Sequence, residues 1–240
     1  MIYTFWEGKM PEYIKICMDT WKQDYILLNY ENLSKYTDIP NINKLKKFTL
    51  PQIADVVRVH VLRDNGGYWL DTDTIMLNDK LPKENMIGYP KTRGNTIGFL
   101  HTESNTDMYI KWAKFQDKII SSINPSICSW NIMGNAFTDD YVKEHNEITI
   151  ADVTNCWAET YMINLPIKRK EKYQKFYFKE NFHLSDLRET NMLMLHNSWT
   201  PQWYKISTRD AILNYECTLS NILKEVSDEW KWLVIIWESL

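Results

Sequence analysis

The hydrophobic pattern of the first thirty residues predicts a strand, a helix and a second strand. Residues 2–6 form an apolar run that predicts a buried strand. Pro11 suits the first turn of a helix that reaches about Trp21, with apolar positions at helical spacing. Residues 25–29 predict the second strand. Because a helix separates the two strands, we expect them to pair in parallel.

Beyond residue 50 the pattern alternates between helices and short strands. Amphipathic periodicity predicts helices over residues 51–64 and 107–121. Gly66 and Gly67 mark the end of the first of these helices. Short apolar runs predict strands at residues 68–70, 74–77, 86–90, 96–100 and 191–195.

The C-terminal part of the chain is predicted as a loop followed by helix. Residues 196–201 are predicted as the loop, and the helix beyond it as two pieces that break near Ser227. The 240 residues suit one α/β domain with at most a small appendage. The pattern therefore predicts a mixed sheet flanked by helices, with a helical C-terminal segment.

Charge and composition narrow the class of partner. The formal net charge is −3 and the basic residues are scattered, which argues against a nucleic-acid partner. The densest basic cluster, residues 168–172, is predicted to be a solvated helix face. The 11 tryptophans and 14 tyrosines mostly fill the core, but aromatic rings also line sugar and nucleobase sites.

The sequence predicts a cytoplasmic protein. Its start lacks the basic and apolar regions of a signal peptide, and the four cysteines are interpreted as reduced thiols. The segment from Trp230 to Trp237 is too short to span a membrane. Two interpretations of this segment stay open: a peripheral anchor at the inner membrane face, or a terminal helix that docks on the domain or on another subunit. The sequence leaves the oligomeric state open.

The strongest chemical motif is Asp71-Thr72-Asp73, which follows a glycine break and a short apolar strand. Ligands of α/β sheets usually bind where a strand ends. Carboxylate oxygens at such a position suit Mg²⁺ or Mn²⁺, and leave room for substrate phosphate oxygens. An isolated D-x-D would be a weak signal, but in this context we interpret it as a metal and phosphate site.

The chain resembles DXD-containing glycosyltransferases related to capsular polysaccharide synthesis proteins. The resemblance rests on the D-x-D string with the helix before it, on the two N-terminal strands, and on His196-Asn197-Ser198-Trp199. It covers residues 2–204, and residues 90–190 carry little of it. It implies a GT-A-type, Rossmann-like domain over residues 1–204, with a helical extension over residues 205–240 that packs on the domain or faces a membrane or partner.

The resemblance also implies roles for individual residues. Asp71, Asp73 and Arg58 would be catalytic, with Asp73 the direct metal ligand and Asp71, His196 and Asn197 contributing to the metal site. Two positions differ from the family pattern. The family often has tyrosine at the position of Trp69 and serine at the position of Ala54. The donor would be bound by Trp6, Asp55, Arg58, Trp69, Asp71, Thr72, Asn197, Ser198 and Trp199.

The sequence therefore predicts a metal-dependent hexosyltransferase of bacterial capsular or surface polysaccharide synthesis. By resemblance the donor is UDP-galactose or UDP-glucose, the cofactor Mn²⁺ or Mg²⁺, and the reaction retaining. The acceptor is a saccharide, with a lipid-linked oligosaccharide as one candidate. Two alternatives stay open: a metal-dependent phosphotransferase or nuclease, and a non-catalytic nucleotide-sugar or glycan-binding subunit on the same fold.

Overall fold

The computed structural model describes residues 1–152, 165–187 and 190–227. They form two compact units, which share the chain in alternating segments. The first unit contains the described residues of Met1–Gly8, Gln23–Asp71 and Pro82–Val153. The second contains those of Lys9–Lys22, Thr72–Leu81 and Thr154–Leu240.

The first unit contains a mixed six-stranded sheet in the order β2-β1-β3-β6-β5-β7. Strand β1 pairs in parallel with β2 and β3, and β5 pairs in parallel with β7. Strand β6 is antiparallel to both β3 and β5. The strands are β1 (Ile2–Phe5), β2 (Tyr25–Leu28), β3 (Gly67–Leu70), β5 (Met86–Tyr89), β6 (Gly94–Thr102) and β7 (Ile150–Asp152), and β4 belongs to the second unit.

Four helices complete the first unit: α2 (Ile42–Leu45), α3 (Leu50–Asn65), α4 (Asp107–Ser122) and α5 (Asn135–Glu144). Helix α3 packs on β1, β3 and β6, and α5 packs on β6. Short 3-10 turns lie at Leu33–Lys35 and Pro125–Ile127. The apolar face of α3 is fully buried, and a capping box between Thr49 and Gln52 fixes its first turn.

Two consecutive glycines connect α3 to β3. Gly66 has φ +67° and Gly67 has φ +90°, a region that side chains with a Cβ rarely adopt. A Cβ on Gly66 would also lie 2.6 Å from the backbone nitrogen of Ser104, and one on Gly67 2.6 Å from the carbonyl oxygen of Met1. These glycines therefore allow the chain to turn directly from the helix into the strand that precedes Asp71.

The second unit is mostly helical. Its helices are α1 (Glu12–Asp19), α6 (Arg169–Lys179), α7 (Gln202–Lys205), α8 (Arg209–Asn214) and the helical residues 218–227. Strands β4 (Thr74–Met76) and β8 (Met192–Met194) pair antiparallel, and 3-10 turns lie at Leu184–Asp186 and Asn197–Trp199. Helix α1 packs against β4, α7 and α8.

The mixed sheet with flanking helices confirms the predicted fold class. The predicted strands and helices are present to within about two residues at most ends, and β1 and β2 pair in parallel as predicted. Helix α1, however, belongs to the second unit although its neighbouring strands lie in the first. Its apolar face meets α7 and α8, which the local pattern of residues 1–30 does not encode.

Two C-terminal predictions were wrong in detail. The predicted loop at residues 196–201 contains a 3-10 turn, because the Trp199 amide donates to the His196 carbonyl (2.8 Å). The helix beyond it is interrupted near residues 206–208 and again at 215–217. The predicted break near Ser227, and the segment from Trp230 to Trp237, lie at or beyond the end of the described residues. No described helix is both long and apolar enough to cross a membrane.

Candidate functional site

Helix α3 presents the first group of predicted site residues, all within the first unit. Asp55 and Arg58 are one turn apart, and both side chains are buried. Arg58 Nη2 lies 3.0 Å from Asp55 Oδ1 and 3.2 Å from Asp71 Oδ1. Arg58 Nη1 also donates to the Ile97 carbonyl of β6. One guanidinium thus holds together a helix carboxylate and the carboxylate that follows β3.

Trp69 completes this cluster from the strand. Its indole Nε1 donates to Asp71 Oδ1 at 2.9 Å, and the Arg58 guanidinium lies over its ring at 5.0 Å from the centroid. The side chain is 1% exposed. In this chain the tryptophan therefore acts as a hydrogen-bond donor that orients Asp71.

The charges of this cluster are unbalanced, since two carboxylates share one guanidinium. Burial raises the pKa of Asp55, Arg58 opposes this rise and the nearby Asp71 adds to it, and the resulting pKa is about 7. Gly134 packs closely against Asp55. A side chain would not fit there, because a Cβ on Gly134 would lie 2.9 Å from Asp55 Oδ2. Asp55 is therefore a carboxyl group that exchanges its proton near neutral pH.

Trp6 directly follows β1 in the first unit. Its backbone amide donates to the Leu28 carbonyl (3.0 Å), which fixes the backbone at the strand end. The side chain is half-buried, and its indole Nε1 is buried with no hydrogen-bond partner among the described residues. A buried donor of this kind commonly marks a position that a ligand or water satisfies.

The second group of predicted site residues lies in the second unit, around Asp73. The backbone amide of Asn197 donates a hydrogen bond to Asp73 Oδ2 at 2.7 Å, although 124 residues separate the two positions. In the β4–β8 pair, Leu195 donates to the Asp73 carbonyl (3.0 Å), which sets this register. Tyr13 from α1 donates to Asn197 Oδ1 at 2.5 Å. Within the second unit, the structure thus joins Asp73 to the His196–Trp199 segment. Thr72, between the two aspartates, is buried.

The charge of Asp73 acts on nearby groups of the second unit. Tyr13 is fully buried, and its pKa is raised by burial and then by the charge of Asp73. Its hydroxyl therefore stays protonated and donates to Asn197. The pKa of Lys205 is lowered by burial, while the charge of Asp73 opposes that shift. Asp73 itself is half-buried.

The remaining residues of the predicted C-terminal motif contact helix α6. The Trp199 carbonyl accepts from Gln174 Nε2 (3.0 Å), and the His196 amide donates to the Tyr173 hydroxyl (3.3 Å). Arg169 Nη2 donates to His196 Nε2 (3.4 Å), and its guanidinium lies 5.5 Å from the Trp199 ring centroid. Ser198 is exposed.

Asp73 and Asn197 carry oxygen atoms of the types that Mg²⁺ and Mn²⁺ take as ligands. No three His, Cys, Asp or Glu side chains within the described ranges are grouped so as to hold a metal. Asp73 and Asn197, however, supply a carboxylate and a carboxamide oxygen, which are the ligand types of these hard cations. Such cations commonly take the rest of their ligands from water and substrate phosphates.

Sequence reasoning missed two residues of the second unit. Tyr13 lies in the helix predicted to begin at Pro11 and was given no role there, and only its distant partner Asn197 reveals its polar role. Arg169 was assigned to a solvated face, and its own exposure agrees with that, but it also contacts His196 and Trp199. The clustered basic residues at 168–172 were the one available signal.

Comparison with known proteins provides the family. No curated protein shows a significant sequence match to the chain. Among solved structures, the PaToxG glycosyltransferase is similar, with 14% identity, a TM-score of 0.44, and coverage of 60% of this chain and 69% of that one. The family model described as "Capsular polysaccharide synthesis protein" matches residues 1–192. The chain belongs to the capsular polysaccharide synthesis protein family.

Proposed function

We propose that this protein is a metal-dependent hexosyltransferase that uses a UDP-sugar donor, UDP-glucose or UDP-galactose, and retains the anomeric configuration. The acceptor in this proposal is a growing surface saccharide, with a lipid-linked oligosaccharide as one candidate. The observation that carries the proposal is the hydrogen bond from the Asn197 amide to Asp73 Oδ2. It links the two motifs that the sequence alone predicts to bind the metal and the donor.

In this proposal, Asp73 and Asn197 hold the divalent cation. When bound, that cation neutralises the diphosphate that departs as the sugar C1–O bond breaks. Asn197 keeps its oxygen in place through the hydrogen bond from Tyr13 (2.5 Å). Ser198 and the Trp199 indole contribute donors toward the phosphate oxygens. His196 is held by Tyr173 and Arg169 within the same segment.

The first unit binds the nucleoside and sugar in this proposal. Trp6 stacks on the base with its face, and the unpartnered indole nitrogen supports a ligand there. Arg58 keeps Asp55 and Asp71 oriented toward sugar hydroxyls, and Trp69 orients Asp71. Carboxylates that are held in this manner accept hydrogen bonds from hydroxyl groups. Thr72 connects Asp71 to Asp73 in the chain.

Calorimetric titration of UDP tests the donor and metal parts of the proposal. We expect UDP to bind the wild-type protein with Mn²⁺ and roughly a hundredfold more weakly without it. Asp73→Ala should remove the metal-dependent part. Asp139→Ala, at an exposed position on α5, is the matched control and should bind as the wild type does.

Donor hydrolysis then separates an enzyme from a binding subunit. Slow release of hexose from UDP-glucose or UDP-galactose in the presence of Mn²⁺ would support catalysis. Metal-dependent UDP binding with no hydrolysis and no transfer would instead support the non-catalytic alternative. Absence of UDP binding under every metal condition would contradict the UDP assignment, and the same titration with GDP would then identify a different nucleotide.

A further inference from the structure

A surface of the first unit combines exposed apolar side chains with lysines. The apolar members are Leu50 (50% exposed), Ile127 (79%) and Trp130 (75%). The lysines are Lys44, Lys46, Lys47 and Lys118. We define these seven residues as the basic apolar face.

Contacts between backbone and side chains bring the three contributing segments side by side. Lys44 Nζ, which belongs to α2, donates to the Ser121 carbonyl in the last turn of α4 (2.7 Å). Gln52 Nε2, in the first turns of α3, donates to the carbonyls of Cys128 (3.3 Å) and Ser129 (3.0 Å). The start of α3, the end of α4 and the segment after it therefore form one continuous surface.

The segment that carries Ile127 and Trp130 is anchored at two places. Gln52 anchors residues 128 and 129. Further along, the Met133 carbonyl accepts from Trp112 Nε1 (3.0 Å) and Gln116 Nε2 (2.6 Å). Ile127 and Trp130 are thus presented to solvent by an anchored segment, which lowers the conformational entropy cost of binding through them.

The local charge has the opposite sign to that of the whole chain. The tracts 39–54 and 118–138 contain four lysines and no aspartate or glutamate, whereas the formal net charge of the chain is −3. Three of these lysines are exposed, and Lys44 is half-buried. A concentration of positive charge beside exposed Trp and Ile side chains is the combination that binds anionic bilayers, where lysines attract the headgroups and apolar side chains enter the interface.

We propose that the basic apolar face docks the protein on an anionic phospholipid membrane. Trp130 and Ile127 insert at the headgroup level, and Lys46, Lys47 and Lys118 contact the lipid phosphates. The aliphatic Ile127 and Leu50 favour a lipid partner over a saccharide, which would use ring stacking and directional hydrogen bonds. The segment continues to Gly134, which packs against Asp55, so the docked surface adjoins the Arg58 cluster within the same unit.

Vesicle co-sedimentation of the full chain tests this inference. The vesicles contain phosphatidylcholine alone, or phosphatidylcholine with phosphatidylglycerol. We expect the wild-type protein to sediment with the anionic vesicles, only weakly with the neutral ones, and less at high salt. Ile127→Ser with Trp130→Ser, and separately Lys46→Glu with Lys47→Glu, should each lower the partition coefficient roughly tenfold or more.

Matched substitutions elsewhere provide the controls. Ile206→Ser changes a 72% exposed isoleucine of the second unit, and Lys91→Glu with Lys224→Glu repeats the charge reversal at exposed lysines. These variants should sediment as the wild type does. Since the replaced side chains of the face are exposed, the variants should also keep the wild-type melting temperature.

Three results would overturn the inference: no sedimentation of the wild-type protein with anionic vesicles, equal sedimentation with neutral vesicles, or unchanged sedimentation of the face variants. Retarded migration in gels that contain an acidic polysaccharide, without vesicle binding, would assign the face to a glycan instead. The UDP titration does not depend on these outcomes, so failure of membrane docking and failure of the donor assignment are distinguishable.

Discussion

Two carboxylates of one short motif are held by different chemistry. Asp71, in the first unit, accepts from the Trp69 indole and is ion-paired with Arg58. Asp73, in the second unit, accepts from the backbone amide of Asn197. Tyr13 supports Asn197 through a neutral hydroxyl group.

This difference predicts a separate role for each of the two carboxylates. A guanidinium compensates the charge of Asp71, which leaves that group suited to hydrogen-bond acceptance. The hydrogen bond from a backbone amide orients the carboxylate of Asp73, and an oriented carboxylate is a ligand type that Mg²⁺ and Mn²⁺ accept. Asp73 should therefore carry the metal dependence, and Asp71 the position of the sugar.

The largest expected effect tests these two roles directly. Asp73→Asn should lower Mn²⁺-dependent donor hydrolysis by roughly a thousandfold, because the charge that attracts the cation is lost. Asp71→Asn should lower it by roughly tenfold to a hundredfold and leave the Mn²⁺ requirement of UDP binding unchanged. Calorimetry and a hydrolysis assay measure both effects. Equal loss of metal binding in the two variants would contradict the comparison.

The Arg58 cluster predicts a large effect on stability. Arg58→Met should lower the free energy of unfolding by about 3–5 kcal/mol, because the buried Asp55 and the Ile97 carbonyl both lose their guanidinium partner. Combining it with Asp55→Asn should recover part of that loss. The control is Arg63→Met on the same helix, where the ion pair with Asp64 is partly exposed and the expected loss is about 1 kcal/mol or less. Urea denaturation provides the values.

The raised pKa of Asp55 predicts a pH dependence with a definite sign. The folded protein keeps a proton on Asp55 up to about pH 7, whereas the unfolded chain loses it near 3.8. The contribution to stability is therefore complete below pH 3.8 and is lost as the pH rises to about 7, by at most about 4 kcal/mol. Asp55→Asn should remove this component. Urea denaturation of both proteins across this pH range would show it, and parallel profiles would contradict the assignment.

Tyr13 predicts a smaller effect that is confined to the second unit. Tyr13→Phe removes the hydroxyl that holds Asn197 Oδ1, and should weaken Mn²⁺ binding in the presence of UDP by roughly tenfold. Tyr204→Phe is the matched control, since Tyr204 is also fully buried in this unit and its hydroxyl pairs with Ser220. If both variants lose metal affinity equally, the role of Tyr13 is only structural.

The smallest effect is expected from substitution of Arg169. Arg169→Met should raise the KM for the UDP-sugar by roughly threefold to tenfold with little change in kcat, because a cation beside His196 and Trp199 is lost. Lys170→Met, the adjacent exposed lysine of α6, should leave KM unchanged. Steady-state kinetics at saturating Mn²⁺ distinguishes the two variants.

Local patterns predicted most of the elements of this protein. Periodicity located α3 and α4, because each buries an apolar stripe. Spacing along α3 also predicted that Asp55 and Arg58 lie on one face, since residues three apart are neighbours on any helix. Resemblance, rather than periodicity, supplied the expected roles of the D-x-D and His196–Trp199 motifs, and these roles stay predictions.

Other features depend on pairs that are distant in the chain. No local rule predicts that Tyr13 donates to Asn197, or that α1 belongs to a different unit from the strands beside it in sequence. The same is true of the shared use of Arg58 by Asp55 and Asp71, which depends on where β3 ends relative to α3. The basic apolar face likewise arises from two tracts that are about seventy residues apart.

The sequence by itself therefore determined the type and order of most elements, and the residues available for chemistry. These depend on hydrophobic periodicity, glycine breaks and motif spacing, which act over a few residues. Only the tertiary structure decided which polar groups meet, and that one guanidinium, Arg58, is shared by Asp55 and Asp71. Those outcomes depend on burial and on hydrogen bonds between residues far apart in the chain, and both are set when the elements pack together.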